Sequence, residues 1–227
     1  YQTDGVITNT GGSANDAAVG SSGYGYYRLD GGTVANKGST QFGRYSGSSG
    51  LFEQRGGTML INPGSAPATG VVGDYYNGSF TTRKGAGVFL LSGGTFSLSG
   101  HSFQLGEWAN AGDYNDGYGT LTLENDAQAD LSYAILANRN GNPQAYVNLN
   151  GGALTASYFQ KGGNNTAGNT AMAAINFNGG VLRVPATGNG SSSLVRTSSY
   201  NSPALLNVCA GGAAIEVLGT DGAVSLD

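Results

Sequence analysis

The densest group of carboxylates in the chain lies in "GEWANAGDYNDGYG", residues 106 to 119, which holds Glu107, Asp113 and Asp116. Several carboxylates on one loop are the donor chemistry of Ca2+, a hard cation that takes only oxygen ligands. The spacing is not that of an EF-hand: counted from Asp113, Gly117 falls at the fifth position, where an oxygen ligand is needed. The stretch also lacks the glycine- and aspartate-rich nonapeptide of calcium-binding β-helices. Glu107, Asp113 and Asp116 are therefore a weak calcium candidate, with a solvated loop as the competing reading. Asp126 and Asp130 are a second carboxylate pair, but they straddle a turn signal and do not make a glycosidase pair by spacing alone. His101 is the one histidine and has no serine or cysteine nucleophile motif beside it. No catalytic residue and no cofactor is expected, and a polysaccharide lyase or hydrolase stands third among the functions weighed. The single Cys209 cannot form an internal disulfide and reads as a small buried hydrophobe.

The aromatic residues are a better lead. Tyr45, Tyr75 and Trp108 each stand two residues after a recurring glycine (Gly43, Gly73 and Gly106), and Tyr76, Tyr114 and Tyr118 lie close by. If those glycines mark equivalent places in a repeat, the rings form a ladder along one side. An aromatic face stacks on the apolar face of a sugar ring while nearby Asn and Asp bond its hydroxyls. The alternative is that the rings cover a glycine-rich edge and hold the loops together.

What must position these residues is a repeat. Aligned on a glycine pair, the chain gives "GVITNTGG" (5–12), "GYYRLDGGTVA" (25–35), "LFEQRGGTMLI" (51–61), "VFLLSGGTFSL" (88–98), "AYVNLNGGALTA" (145–156), "AAINFNGGVLRV" (173–184) and "LLNVCAGGAAIEV" (205–217). "GTLTLENDAQADL" (119–131) carries Asn125-Asp126 in place of the glycines. Asn and Asp tolerate positive φ better than other non-glycine residues, so the pair predicts a left-handed or bulged corner. Corners are expected at Gly31 and Gly32, Gly56 and Gly57, Gly93 and Gly94, Asn125 and Asp126, Gly151 and Gly152, and Gly179 and Gly180. Apolar residues alternate on both sides, as in Phe89/Leu91 before and Phe96/Leu98 after, which predicts two strands meeting at the corner. A third short run ending in Gly or Ala follows: "AVG" (18–20), "QFG" (41–43), "VVG" (71–73), "QLG" (104–106), "ILA" (135–137).

Three short strands per repeat, unable to bury an apolar face alone, predict an all-β parallel β-solenoid of about seven or eight coils in one domain over 1–227. A sandwich or jelly roll would bring strands every 8 to 12 residues without a shared corner, which disfavours it. No segment supports a helix. Asn207 falls in a slot that is otherwise apolar, leaving the register of the last coil open.

Composition bounds the partners. The 227 residues include 41 Gly, and only 11% are charged, well under the usual quarter. Hydrophobic residues at 39% and 13 Tyr supply a core that a disordered chain lacks. A net charge of −4 with scattered basic residues gives no phosphate-binding stripe, so nucleic acid is not an expected partner. No apolar run reaches the roughly 18 residues of a membrane helix, so this segment is not expected to insert. The chain opens on Tyr1 and is expected to be a piece of a longer precursor.

The block "LxLxGGxLxx…xLG…loop" resembles the autotransporter-associated β-strand repeats of secreted or surface-anchored bacterial proteins. The resemblance implies a right-handed parallel β-helix passenger, exported to the cell exterior and acting as stalk, adhesin or surface fibre. The expected function is an extracellular structural solenoid, a stalk or self-stacking filament subunit; the alternative is a carbohydrate-binding adhesin using the aromatic ladder. "DGVITNTGG" and "AAIEVLGTDGAVSLD" show no amphipathic helix or charged cap, so both ends are expected to be uncapped. The expected partners are therefore further copies of the chain head to tail or further repeats, with surface polysaccharide as the other class.

Overall fold

The computed structural model describes residues 1–9, 17–38, 40–43, 48–61, 80–83, 85–98, 102–107, 117–137, 143–161, 171–185, 194–197 and 204–219. Every regular element among them is a strand, and the strands come in coils. Gln2 bridges to Leu29, and β1 (Val6–Asn9) and β2 (Ala17–Val19) complete the first coil. The second holds β3 (Tyr24–Leu29), β4 (Thr33–Asn36) and β5 (Thr40–Phe42), and the third β6 (Ser49–Gln54), β7 (Thr58–Ile61) and β8 (Phe80–Arg83). Next come β9 (Ala86–Leu91), β10 (Thr95–Leu98) and β11 (Ser102–Glu107), then β12 (Tyr118–Leu123), β13 (Gln128–Asp130) and β14 (Tyr133–Leu136). The sixth coil is β15 (Gln144–Leu149), β16 (Ala153–Thr155) and β17 (Phe159–Lys161). The seventh is β18 (Met172–Phe177), β19 (Val181–Pro185) and β20 (Val195–Thr197), and β21 (Leu205–Val208) with β22 (Ala214–Leu218) begins the eighth.

Each strand pairs in parallel with the strand three places on, giving three sheets of eight, seven and seven strands. The chain is a three-sided parallel β-solenoid with eight rungs on its longest face. No segment could bury its apolar face alone, so the fold is held by neighbour-to-neighbour stacking.

The corners explain the doubled glycine. Three residues join Leu29 to Thr33, Gln54 to Thr58, Leu91 to Thr95, Leu149 to Ala153 and Phe177 to Val181. Gly32, Gly57, Gly94 and Gly152, each the last of its three, are left-handed, with φ between 63° and 76°. The glycine before each is needed for space and not for its φ. A Cβ on Gly31, Gly56 or Gly93 would fall inside contact distance of the carbonyl oxygen of Thr3, Asp30 or Arg55 in the preceding coil. Both glycines let two coils approach, because a Cβ on Gly32, Gly57 or Gly94 would also strike the preceding corner, and the second glycine turns the chain as well.

Three corners depart from this pattern. At Gly179-Gly180 the left-handed residue is the first, Gly179, at φ 95°. Four residues, not three, separate Leu123 from Gln128. There Asn125 takes φ 51°, Ala127 donates back to the Glu124 carbonyl at 3.2 Å, and the Ala127 side chain is fully buried. Asn125-Asp126 is thus a one-residue insertion and not a straight exchange for glycine. The last corner has five residues between Val208 and Ala214, with Gly212 left-handed.

Two expected registers are corrected. "GVITNTGG" is not a strand running into a glycine pair: Val6–Asn9 pairs with Thr33–Asn36, which follows a corner, and the first corner is Asp4-Gly5, with Gly5 at φ 81°. Asn207 does not take an apolar slot; it pairs with Asn176 on the outer face, and Leu206 and Val208 continue the inward columns. A strand shifted by one residue exchanges its faces, so this settles the last register.

Inward columns run the length of the stack. Val34, Met59, Phe96, Ala129, Leu154 and Leu182 follow one another on one sheet. Phe89 packs edge to face on Phe42 of an earlier coil and on Phe103 of its own, with centroids 4.6 and 5.6 Å apart, a preferred aromatic geometry. Gly20, Gly43 and Ala137 directly follow β2, β5 and β14, Gly106 lies near the end of β11, and all four have positive φ.

Candidate functional site

The best-defined surface is the outer face of the sheet containing β3, β6, β9, β12, β15, β18 and β21. Period-two alternation sends every second residue of these strands outward, and parallel register lines those residues up about 4.8 Å apart. Thr122, Asn148, Asn176 and Asn207 occupy one outward column. Asn207 Nδ2 donates to Asn176 Oδ1 at 2.8 Å, Asn176 Nδ2 to Asn148 Oδ1 at 2.7 Å, and Asn148 Nδ2 to Thr122 Oγ1 at 3.2 Å. All three carboxamides point the same way along the axis. Such in-register amide ladders also stabilise cross-β assemblies.

Beside this ladder stand Tyr118 and Tyr146, ring centroids 5.9 Å apart and tilted 45°. Tyr118 is 39% exposed, and the Tyr146 hydroxyl lies 3.2 Å from Gln144 Oε1 and 3.1 Å from Met172 Sδ. An aromatic pair beside a column of carboxamides is a surface of mixed apolar and hydrogen-bonding character.

The other end of the face is charged. Tyr26 donates a short hydrogen bond to the Glu53 carboxylate, which also accepts from Arg55 Nε at 2.7 Å. Arg28 pairs with Asp30 at 2.6 Å, and its guanidinium lies 4.7 Å from the centre of the Tyr1 ring, a cation–π contact. Donation to Glu53 pushes the Tyr26 phenol up to about 12. The same bond, with help from Arg55, holds the Glu53 carboxyl below its ordinary value, and Arg28 does the same for Asp30. These groups neutralise one another on the surface.

Of the residues singled out from sequence, Tyr118 is placed, and it is the first residue of β12 and not part of a loop. Tyr45, Tyr75, Tyr76, Trp108 and Tyr114 lie outside the described residues, as do Asp113, Asp116 and His101. Glu107 ends β11, where its backbone pairs with Arg83. Among the described residues no three of His, Cys, Asp and Glu gather as metal ligands. Asp126 sits in a corner and Asp130 on an outer strand face, where its carboxylate accepts from the Ser132 amide at 3.2 Å. Cys209 is exposed, not buried, because it lies in the long corner of the last described rung.

Sequence reasoning missed Tyr146, Asn148 and Asn176. It aligned the inward slots alone; aligning the outward slots of "YVNLN", "AINFN" and "LLNVC" stacks the asparagines at once. No helix among the described residues is long and apolar enough to cross a membrane. The chain's fold rests on its own geometry, for no family model, no curated protein and no solved structure matches it.

Proposed function

We propose that the chain is a structural element of the bacterial cell exterior, a rigid solenoid serving as stalk or fibre unit. The observation that carries this reading is that the outward polar groups bond to one another along the stack. Asn207, Asn176 and Asn148 form one chain of amides, Arg183 bonds Glu216 at 2.8 Å in the next rung, and Tyr26 bonds Glu53 across β3 and β6. Groups tied to the neighbouring rung stiffen the rod. The resemblance of the repeated block to autotransporter-associated repeats supports the exterior location.

A second reading, carbohydrate adhesion, is favoured by one feature, the Tyr118–Tyr146 pair beside the asparagine ladder. Antibodies raised against the folded chain test the first reading on intact cells of the source organism. Label standing off the cell envelope supports it, and label that appears only after the cells are opened overturns it. A glycan array tests the second, and binding that is lost in Tyr118→Ala and Tyr146→Ala would favour adhesion.

A further inference from the structure

The two ends of the described stack are built alike. Ile7 heads the inward column that continues through Val34, Met59, Phe96, Ala129, Leu154 and Leu182 to Ile215. Met59, Phe96, Ala129, Leu154 and Leu182 are at most 4% exposed, whereas Ile7 is 51% and Ile215 is 40% exposed. On the neighbouring sheet Leu206 and Val208 continue the columns of Ile175 and Phe177, and Val208 is 69% exposed. The core is open along its axis at both ends.

The backbone is open there too. In each inner coil the first residue after the corner donates to the corner carbonyl of the coil before, as Thr33 does to Gly5 at 2.8 Å, Thr58 to Gly32 at 2.9 Å and Thr95 to Gly57 at 2.9 Å. Val6 holds the equivalent place in the first coil, so its amide faces outward along the axis. The alternation of a parallel ladder likewise sends the amides of Ile215 and Val217 away from β19. Gly5 shares the left-handed turn of Gly32, Gly57 and Gly94. A Cβ on any of those three would strike the preceding corner, whereas one on Gly5 would meet nothing within 4 Å.

We infer that the ends are two halves of one interface, and that a second copy of this chain stacks head to tail, its β1 pairing in parallel with β22. This rests on reading the chain as a structural stack. The columns fix the register, with Val6 on Ala214, Ile7 on Ile215, Thr8 on Glu216 and Gln2 on Val208. Gln2 on Val208 repeats an arrangement inside the molecule, where Gln54 follows Leu29 in the same column. Thr8 against Glu216 places a hydroxyl donor against a carboxylate and sets no like charges together. The contact is heterologous and translational, so it does not close, and it generates a filament with a rung spacing of about 4.8 Å across each junction.

Disulfide trapping tests the register. In a Cys209→Ser background, Thr8→Cys combined with Glu216→Cys brings two outward-facing thiols to neighbouring strands, about 4.8 Å apart and within disulfide reach. Mild oxidation of the purified 227-residue chain is expected to give a ladder of linked oligomers on a non-reducing gel. Thr8→Cys with Val217→Cys, one residue out of register and on opposite faces, is expected to give none. Adding Ile7→Lys to the first pair is expected to abolish its ladder while the strand content of the chain is retained. A folded chain that gives no ladder overturns self-stacking and leaves its ends to further coils of a longer polypeptide. Equal ladders from both cysteine pairs overturn it as well. Trapping reads contact in solution and cell labelling reads location, so the two proposals fail separately.

Discussion

The Gln54 carboxamide, buried inside the solenoid, donates to the carbonyl oxygen of Thr95 in the next coil at 3.0 Å. It also reaches the Gly57 carbonyl of its own corner at 3.2 Å, and Gln2 does the same with Thr33 and Gly5, at 3.2 Å each. Both glutamines stand in a column whose other members include Leu29, Leu91, Leu123 and Leu149. They differ in the second half of the amide. Gln2 Oε1 accepts from the Tyr27 hydroxyl at 2.8 Å. The residue one coil beyond Gln54 in the place of Tyr27 is Phe89, and Gln54 Oε1 has no donor among the described residues.

A buried acceptor without a partner costs about 1–3 kcal/mol, and replacing the group by an apolar one of similar shape removes that cost. Gln54→Leu is therefore expected to stabilise the chain by about 1 kcal/mol. Gln2→Leu is expected to destabilise it, because the half-buried Tyr27 hydroxyl loses its acceptor. Urea midpoints at unchanged slope measure both. Equal losses in the two variants would contradict this account of the column.

At the corners, Gly93→Val and Gly94→Val are each expected to cost more than about 1 kcal/mol. The first drives a side chain into the Arg55 carbonyl, and the second drives one into the Gly57 carbonyl and also forces a β-branched residue to a φ near 76°. Asn125→Gly keeps the left-handed turn and is expected to fall within about 1 kcal/mol of the parent. Thermal melts of the three variants decide the matter, and an unchanged melt for both valines would refute this account of the corner.

Within the asparagine ladder, Asn176 both donates to Asn148 and accepts from Asn207. Asn176→Ala is expected to cost about 1 kcal/mol, and Asn207→Ala, which removes only one ladder bond, less. A double-mutant cycle between positions 148 and 176 should give a coupling of at least about 0.5 kcal/mol. Strict additivity would mean the carboxamides act independently.

Tyr26 and Glu53 make stability depend on pH at both extremes. The Tyr26 value rises from 10.0 to about 12, so its contribution is complete below 10 and lost as pH climbs through about 12. Glu53 and Asp30 are lowered, so theirs is present above the ordinary carboxylate range and lost as pH falls through their lowered values. Tyr26→Phe is expected to remove a phenol that ionises near 12, read from phenolate absorbance, and to flatten the alkaline limb of the stability curve. A titration that is unchanged in the variant near that pH would contradict the assignment.

The inward alternation and the glycine pairs made the solenoid legible from sequence, because core columns and corners obey local rules that repeat every coil. The corner at Asn125 looked like a simple exchange because the insertion of Ala127 changes length and not pattern. The first block misled because "DG" at Asp4-Gly5 is a weaker turn signal than "GG" at 11 and 12. Residue type alone places Cys209 in the interior and says nothing about nearness to the last described rung. The outer face was least legible. Tyr118 and Tyr146 meet through the register of β12 on β15, which period-two counting within one strand does not supply.

Native-state amide hydrogen exchange, at a concentration where the chain is monomeric, tests the central claim of one continuous parallel stack with open ends most directly. In such a stack each coil is stabilised only by its neighbours, so protection should peak in β9, β12 and β15 and fall smoothly toward β1 and β22. Two separately protected blocks, or amides in β1 and β22 as slow to exchange as those in β12, would contradict it.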